Sequence, residues 1–294
     1  MVQIDSVLSN AYRLDGGAMF GNAPKALWER WMQADEQNRL RMATRTLLVR
    51  TANEIILLET GIGAYLEPKL RERFGVYESE HMLVKRLAGF GISPADVTRI
   101  VFTHLHFDHV GGLLSAWEEG KEPHILFPNA EVYAGKDAWE RATHPHPRDR
   151  ASFIPALHRQ LEESGRLTLL RGDETLTFGE VEIHFLPTDG HTPGLLVADL
   201  RYPGGRVVFP TDLIPGRFWV HLPITMGYDR FPELLIEEKK ALLTSLAEDH
   251  GWLVYVHDPD YAASRVRPSD DGSTFVTVDL QPELSIVSGA PSPS

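Results

Sequence analysis

The ten residues Thr103-His104-Leu105-His106-Phe107-Asp108-His109-Val110-Gly111-Gly112 carry four metal-ligand side chains directly after an apolar run. Neutral imidazoles and carboxylates are the donors that borderline divalent cations such as zinc prefer. The spacing lets His104 and His106, two positions apart, project toward one cation. Asp108 and His109, a turn further on, can reach a second, and Gly111 and Gly112 permit a sharp turn or a close backbone approach. The chemistry expected of such a loop is metal-dependent hydrolysis. Two neighbouring cations lower the pKa of a shared water from its bulk value toward about 7 and supply hydroxide at neutral pH, while one polarises the carbonyl under attack. No serine or cysteine nucleophile is needed.

Such a loop needs a rigid mount, and Arg99-Ile100-Val101-Phe102 reads as a short buried strand ending where the ligands begin. Further strand-like runs lie at Arg45–Val49, Glu54–Leu58 and Glu131–Tyr133, with helical stretches near Glu80–Gly89 and Lys136–Arg141. A second series follows at Leu167–Leu170, Val181–Phe185, Leu195–Leu200, Arg206–Phe209 and Trp252–Val256, with a helix over Pro232–His250. Residues 16–32 read as a glycine-rich turn and an amphipathic helix whose Trp28 and Trp31 suit either core packing or a lid, pocket wall or dimer contact. The mixture predicts an α/β protein of stacked sheets flanked by helices, with one domain over residues 1–287 and a disordered tail over 288–294.

The first segment resembles the His-x-His-x-Asp-His signature of the metallo-β-lactamase fold superfamily. Downstream, Gly190-His191-Thr192-Pro193-Gly194, Thr211-Asp212 after Val207-Val208-Phe209, and Val256-His257-Asp258-Pro259 match the superfamily's later motifs in order. The resemblance implies a four-layer αβ/βα sandwich with its ligands converging along one edge of the two sheets. It further implies that His104, His106 and His191 hold one cation and Asp108, His109 and His257 the other, with Asp212 between them. Two divalent ions are implied, zinc first, with manganese, iron or cobalt left open because selectivity depends partly on supply.

Near the N-terminus, Asp15-Gly16-Gly17-Ala18-Met19-Phe20-Gly21, Pro24-Lys25 and Leu27-Trp28 resemble the opening of the YtnP-like quorum-quenching lactonases, and Glu59-Thr60-Gly61-Ile62-Gly63 and Phe74-Gly75-Val76 continue the likeness. This resemblance implies opening of N-acyl-homoserine or similar lactones, with Asp108 passing a proton to the departing ring oxygen and Met19, Phe20, Phe218 and Trp219 contacting an acyl chain. A promiscuous arylesterase, thioesterase or phosphotriesterase is the alternative, since fold alone does not settle function. Two departures bear on the site. Glu59 stands where relatives have aspartate, in a position to orient an imidazole, and Pro215 stands where related lactonases have a tyrosine that polarises the carbonyl. Tyr228 and His221 are the groups available to substitute. A homodimer through the N-terminal tryptophan segment is also implied.

Composition narrows the classes further. Without cysteine, all donors must be nitrogen or oxygen and no disulfide forms. A net charge of −12 argues against general affinity for nucleic-acid phosphates. No segment approaches the roughly 18 consecutive apolar residues of a membrane helix, and the first residues lack the basic and apolar stretches of a signal peptide, so the cytoplasm is expected. Thr143-His144-Pro145-His146-Pro147-Arg148 reads as an extended surface loop rather than a further metal site. His81, His124, His158, His184 and His250 are expected to be structural or exposed.

Overall fold

The computed structural model describes residues 1–288. Sixteen strands are distributed over two seven-stranded sheets and one small ribbon. In chain order they are β1 (Val2–Leu8), β2 (Tyr12–Asp15), β3 (Arg39–Met42), β4 (Arg45–Arg50), β5 (Ile55–Leu58), β6 (Arg99–Phe102), β7 (Glu131–Gly135) and β8 (Leu167–Leu170), followed by β9 (Thr175–Phe178), β10 (Val181–Thr188), β11 (Leu195–Tyr202), β12 (Gly205–Phe209), β13 (Trp252–Val254), β14 (Ala263–Pro268), β15 (Phe275–Gln281) and β16 (Ser285–Ser288). The first sheet runs β16-β1-β4-β5-β6-β7-β8 and the second β15-β14-β13-β12-β11-β10-β9, while β2 and β3 form the ribbon. Strands β5 to β8 are mutually parallel, as are β12 and β13, so their C-terminal ends open on common edges.

Side chains alternate across each strand, and here both faces are apolar. Leu47, Val49, Ile56, Leu58 and Val101 of the first sheet meet Ile183, Phe185, Leu196, Ala198, Val207 and Phe209 of the second in an inter-sheet core. Their neighbours Leu48, Leu57, Ile100 and Phe102 point outward against helices α4 (Met82–Gly89), α6 (Lys136–Thr143) and α7 (Pro155–Ser164). On the other side Leu195, Val197, Val208 and Leu253 pack beneath α8 (Pro232–Asp249) through Leu235, Leu242, Leu243 and Leu246. The result is the expected helix–sheet–sheet–helix sandwich. No helix of the described residues is long and apolar enough to cross a membrane.

Local signals set the boundaries. Helices α7 and α8 begin with Pro155 and Pro232, whose missing N–H costs nothing in a first turn, and end at left-handed Gly165 and His250. Where a glycine-rich turn and then one amphipathic helix are expected over residues 16–32, there are two short helices, α1 (Gly16–Phe20) and α2 (Lys25–Trp28). Gly21, at φ +56°, turns the chain between them, and a Cβ there would stand 2.7 Å from the Thr225 carbonyl oxygen. Trp28 is buried within its own chain, stacked on Phe20, which removes it from any dimer contact. Ser288, assigned to a tail, pairs with Val2 at the end of β16, and the rest of that tail lies outside the described residues.

His158 sits between the rings of Trp139 and Phe153 on α7, and burial pushes its pKa down to about 4. The unfolded chain takes up this proton near pH 6.5, so folding loses stability as pH falls from about 6.5 through 4. A His158→Phe variant should lose about 2 kcal/mol less than the parent between pH 7 and pH 5 in urea unfolding of chelator-treated protein. Parallel losses would show that His158 is not held neutral.

Candidate metal centre

Four loops bring the centre together, and each follows a core strand. Beyond β6 come Thr103, His104 and His106, then the short helix α5 (Phe107–Val110) carrying Asp108 and His109. His191 follows β10, Asp212 sits in a single 3-10 turn after β12, and His257 follows β13. A hydrogen bond from the Leu196 N–H to the Thr103 carbonyl ties the two sheets together at this edge. Glu59 and Thr211 beside the ligands have φ of +65° and +45°. Such left-handed strain in non-glycine residues persists where surrounding structure over-determines the backbone.

The side chains form two groups. His104, His106, His191 and Asp212 bring one ligand atom each within 4.8 Å of one another, and so do Asp108, His109 and His257. The Asp212 carboxylate joins them. Its Oδ2 lies 3.1 Å from His191 Nε2 and 3.4 Å from His109 Nε2, and its Oδ1 lies 3.0 Å from His257 Nε2. His106 Nδ1 faces His104 Nε2 at 3.1 Å and His191 Nε2 at 3.2 Å. Lone pairs converging at such distances repel unless a positive charge lies among them. His109 Nε2 and Asp212 Oδ1 are buried with no hydrogen-bond partner. Orphaned buried ligand atoms of this kind fit divalent cations of the nitrogen- and oxygen-preferring class.

Protonation of the metal-free protein points the same way. Burial, then the neighbouring His191, pushes His106 down to about 3, and burial with His109 and His106 holds His104 well below its ordinary value. Burial opposes charge on His109 and His191 too, but the surrounding carboxylates together outweigh it, Asp212 with Asp108 and Glu59 at His109 and Asp212 with Asp229 at His191, and raise them to about 9 and about 10. Asp212, although buried, is held well below the usual carboxylate range by His109, His257 and His191. Protons thus sit where cations would, and metal binding must release them.

The outer imidazole nitrogens are anchored. His191 Nδ1 lies 2.9 Å from Asp229 Oδ1, whose Oδ2 accepts from the Met226 N–H, and His257 Nδ1 donates to the Ala43 carbonyl at 2.9 Å. Glu59 is fully buried and accepts the Thr103 N–H at 2.8 Å. Its other oxygen stands 3.7 Å from His109 Nδ1, beyond hydrogen-bond range, so Glu59 acts on His109 as a neighbouring charge. Burial pushes its pKa up to about 7 against the pull of His109. An Asp229→Asn variant should bind metal about 10- to 100-fold more weakly in chelator competition, through a loosened His191. Unchanged affinity would make Asp229 merely structural.

Above the cluster lies a cavity of about 400 Å³ whose lining includes His106, Asp108, His191, Asp212 and His257. Of the residues expected at the pocket, Met19 and Tyr228 line it. Phe20, Phe218, Trp219 and His221 do not. Phe20 is sandwiched by Trp28 and Trp219, and Trp219 donates its indole N–H to the Met19 carbonyl, so the two rings brace Met19 from behind. Phe218 stacks on Trp31 at 5.6 Å, and His221 is exposed near Thr274. Their apolar or imidazole character was legible, but the stacking that turns them away was not.

Reading the sequence missed Tyr12, which is buried in β2 and donates its hydroxyl to Asp108 Oδ2 at 2.5 Å. Burial, then Asp108, keeps its pKa well above the ordinary tyrosine value, so it stays a donor. It also missed Asp229, Leu14, Arg148 and Arg230. None carries a local signal, since each is an ordinary residue brought to the site by the fold. Pro215, at the position of the absent tyrosine, offers only its carbonyl, which accepts the His257 N–H at 2.8 Å. His144 and His146 are exposed and bond locally with Thr143 and the Arg148 N–H.

Residues 41–257 match the family described as the metallo-beta-lactamase superfamily. The chain belongs to this superfamily. Among curated members, an N-acyl homoserine lactonase of Bacillus thuringiensis is 24% identical over 220 residues, covering 74% of this chain and 75% of that one. Among solved structures, a probable metal-dependent hydrolase from Staphylococcus aureus is 27% identical with a TM-score of 0.81, covering 95% of this chain and 97% of that one. AidC, a dizinc quorum-quenching lactonase, is 22% identical with a TM-score of 0.73 over 94% of each chain. The chain is thus a metallo-β-lactamase-fold hydrolase with lactonase homologues and a His/Asp centre suited to metal.

Proposed function

We propose that the protein is a dinuclear metal-dependent lactonase that opens N-acyl-homoserine lactones or related lactones. The observation that carries this reading is the pair of ligand groups sharing Asp212 at the floor of a cavity with an apolar wall. His104, His106 and His191 would hold one cation and Asp108, His109 and His257 the other, with Asp212 common to both. When bound, the two cations, most readily zinc, supply Lewis acidity and an activated water at neutral pH.

The chain's own residues do the rest. Leu14, Met19, Phe74 and Phe107 give an acyl chain an apolar wall. Asp108 lines the cavity and would return a proton to the departing ring oxygen, while Tyr12 fixes the orientation of its carboxylate. Tyr228 faces the cavity with its hydroxyl proton retained, burial and then Asp108 pushing its pKa up to about 12, and it takes the place of the absent tyrosine as a donor to the substrate carbonyl. Water adds across the acyl C–O bond, giving a hydroxy acid that releases a proton.

A pH-indicator screen of metal-loaded protein against lactones of several chain lengths, aryl esters, thioesters and phosphotriesters tests this. Acid release from the lactones is expected, and His106→Ala should abolish it. Intact lactones beside a cleaved aryl ester, thioester or phosphotriester would replace the lactonase reading with that of a promiscuous hydrolase.

A further inference from the structure

Three cationic side chains, Arg73, Arg148 and Arg230, line the cavity that holds the ligand cluster. Among the described residues none of them has a carboxylate within ion-pair distance, in a chain whose net charge is −12. Asp149, the acid on the same wall, pairs with Arg141 through its Oδ2 at 2.7 and 2.9 Å, while its Oδ1 has no hydrogen-bond partner and is beyond ion-pair distance of every arginine nitrogen of the wall. Arg148 spends one nitrogen on the Gly227 carbonyl at 2.8 Å, which pins it at the cavity wall.

Arg230 is the most exacting of the three. Its backbone N–H is bonded to the carbonyls of Gly190 and His191, so it is set immediately beside a ligand histidine and next to Asp229. The Nε and Nη1 atoms of its guanidinium are buried with no acceptor. Burial, then the neighbouring Arg141 and Arg148, works against its charge, and the nearby Asp149 offsets this only in part. A guanidinium with two buried nitrogens that lack an acceptor gains from an entering oxyanion, and its fork matches carboxylate and phosphate geometry. Without such a partner, three arginines in a hydrolase pocket would only lower the cavity's affinity for an apolar chain.

We propose that the natural substrate bears an oxyanion, carboxylate or phosphate, away from the bond that is cleaved, and that Arg230, assisted by Arg148, binds it. The inference rests on the hydrolase reading above and names its substrate class. The anionic end docks on the arginine wall while the scissile carbonyl reaches the His/Asp floor.

The test compares N-hexanoyl-homoserine lactone with counterparts of equal length ending in a carboxylate or a phosphate. A charged counterpart should show kcat/KM at least about tenfold higher, expressed in KM, and the larger of the two ratios tells carboxylate from phosphate. Arg230→Gln should bring the ratio toward one and Arg148→Gln should reduce it partly. Lys121→Gln, which makes the same charge change away from the cavity, should leave it intact. A ratio of one or less in the parent, or an unaltered ratio in Arg230→Gln, overturns the proposal. If no lactone is turned over, the lactonase reading fails and calorimetry decides this one. Chelator-treated protein should bind the monoamide of adipic acid at least about tenfold more tightly than hexanamide. Equal binding overturns the proposal without reference to catalysis.

Discussion

Replacing Asp212 with alanine should lower kcat/KM on a lactone by about 10³-fold or more and cost both cations, not one. Its carboxylate is within 3.4 Å of imidazoles from both ligand groups, so no other single side chain touches the whole centre in the same way. Lewis-acid stabilisation is worth several kcal/mol, and each 1.4 kcal/mol is tenfold in rate. Fold should survive, because the buried imidazoles can shed the protons that Asp212 now holds on His109 and His191. Circular dichroism unchanged from the parent, with metal content near zero after dialysis, is the expected pattern. A variant that retained metal and turnover within tenfold would place the reaction elsewhere.

Gly112→Ala should be the most destabilising single-methyl change at the site, by about 3 kcal/mol. A Cβ at this position would lie 2.1 Å from the Thr60 carbonyl oxygen, and backbone cannot swing aside as a flexible side chain does. The same contact transmits the damage. Gly112 N–H bonds to the Gly61 carbonyl, and the Thr60 N–H and hydroxyl both bond to the His109 carbonyl, so displacing this loop displaces a ligand and the neighbouring Glu59. Gly89→Ala, in a helix with nothing within 4 Å of the added methyl, should instead gain about 0.5–1 kcal/mol. Urea unfolding of both variants measures this. Equal, small effects would mean that the two loops are less tightly apposed than they stand here.

Gly111 and Gly112 also show why the metal loop could be read from sequence. Ligands and the glycines that let the backbone close in are contiguous between Thr103 and Gly112, so local spacing carries the message. The buried strands around it are legible for a similar reason, since a run such as Leu47-Leu48-Val49 is apolar on both faces only when covered on both. Elsewhere the message is not local. Strand β1 alternates apolar residues with Asp5, whose carboxylate is paired with Arg50, and β14 carries Arg265 and Arg267 on its outer face, so neither has the apolar run that marks the central strands. Within residues 16–32 the turn expected before the helix lies instead between two short helices, because apolar spacing says nothing about Gly21 having to turn beneath the Thr225 carbonyl.

Site residues divide in the same way. Asp229 and Tyr12 reach His191 and Asp108 from 38 and 96 positions away, and their own neighbourhoods give no reason to single them out. Apolar and aromatic character drew attention to Met19, Phe20, Phe218 and Trp219, but of these only Met19 lines the cavity, because the stack of Trp28, Phe20 and Trp219 turns the rings away. The centre therefore depends on two kinds of residue: ligands written into short motifs, and the groups that hold them, supplied by packing.

The centre proposed for this protein is two cations sharing Asp212. Titration of metal-free protein with cobalt(II), followed by absorption and checked by elemental analysis of the dialysed product, measures this directly. The expected result is saturation at two equivalents per chain in the parent and loss of both in Asp212→Ala. Saturation at one equivalent, or two equivalents retained without Asp212, would contradict it.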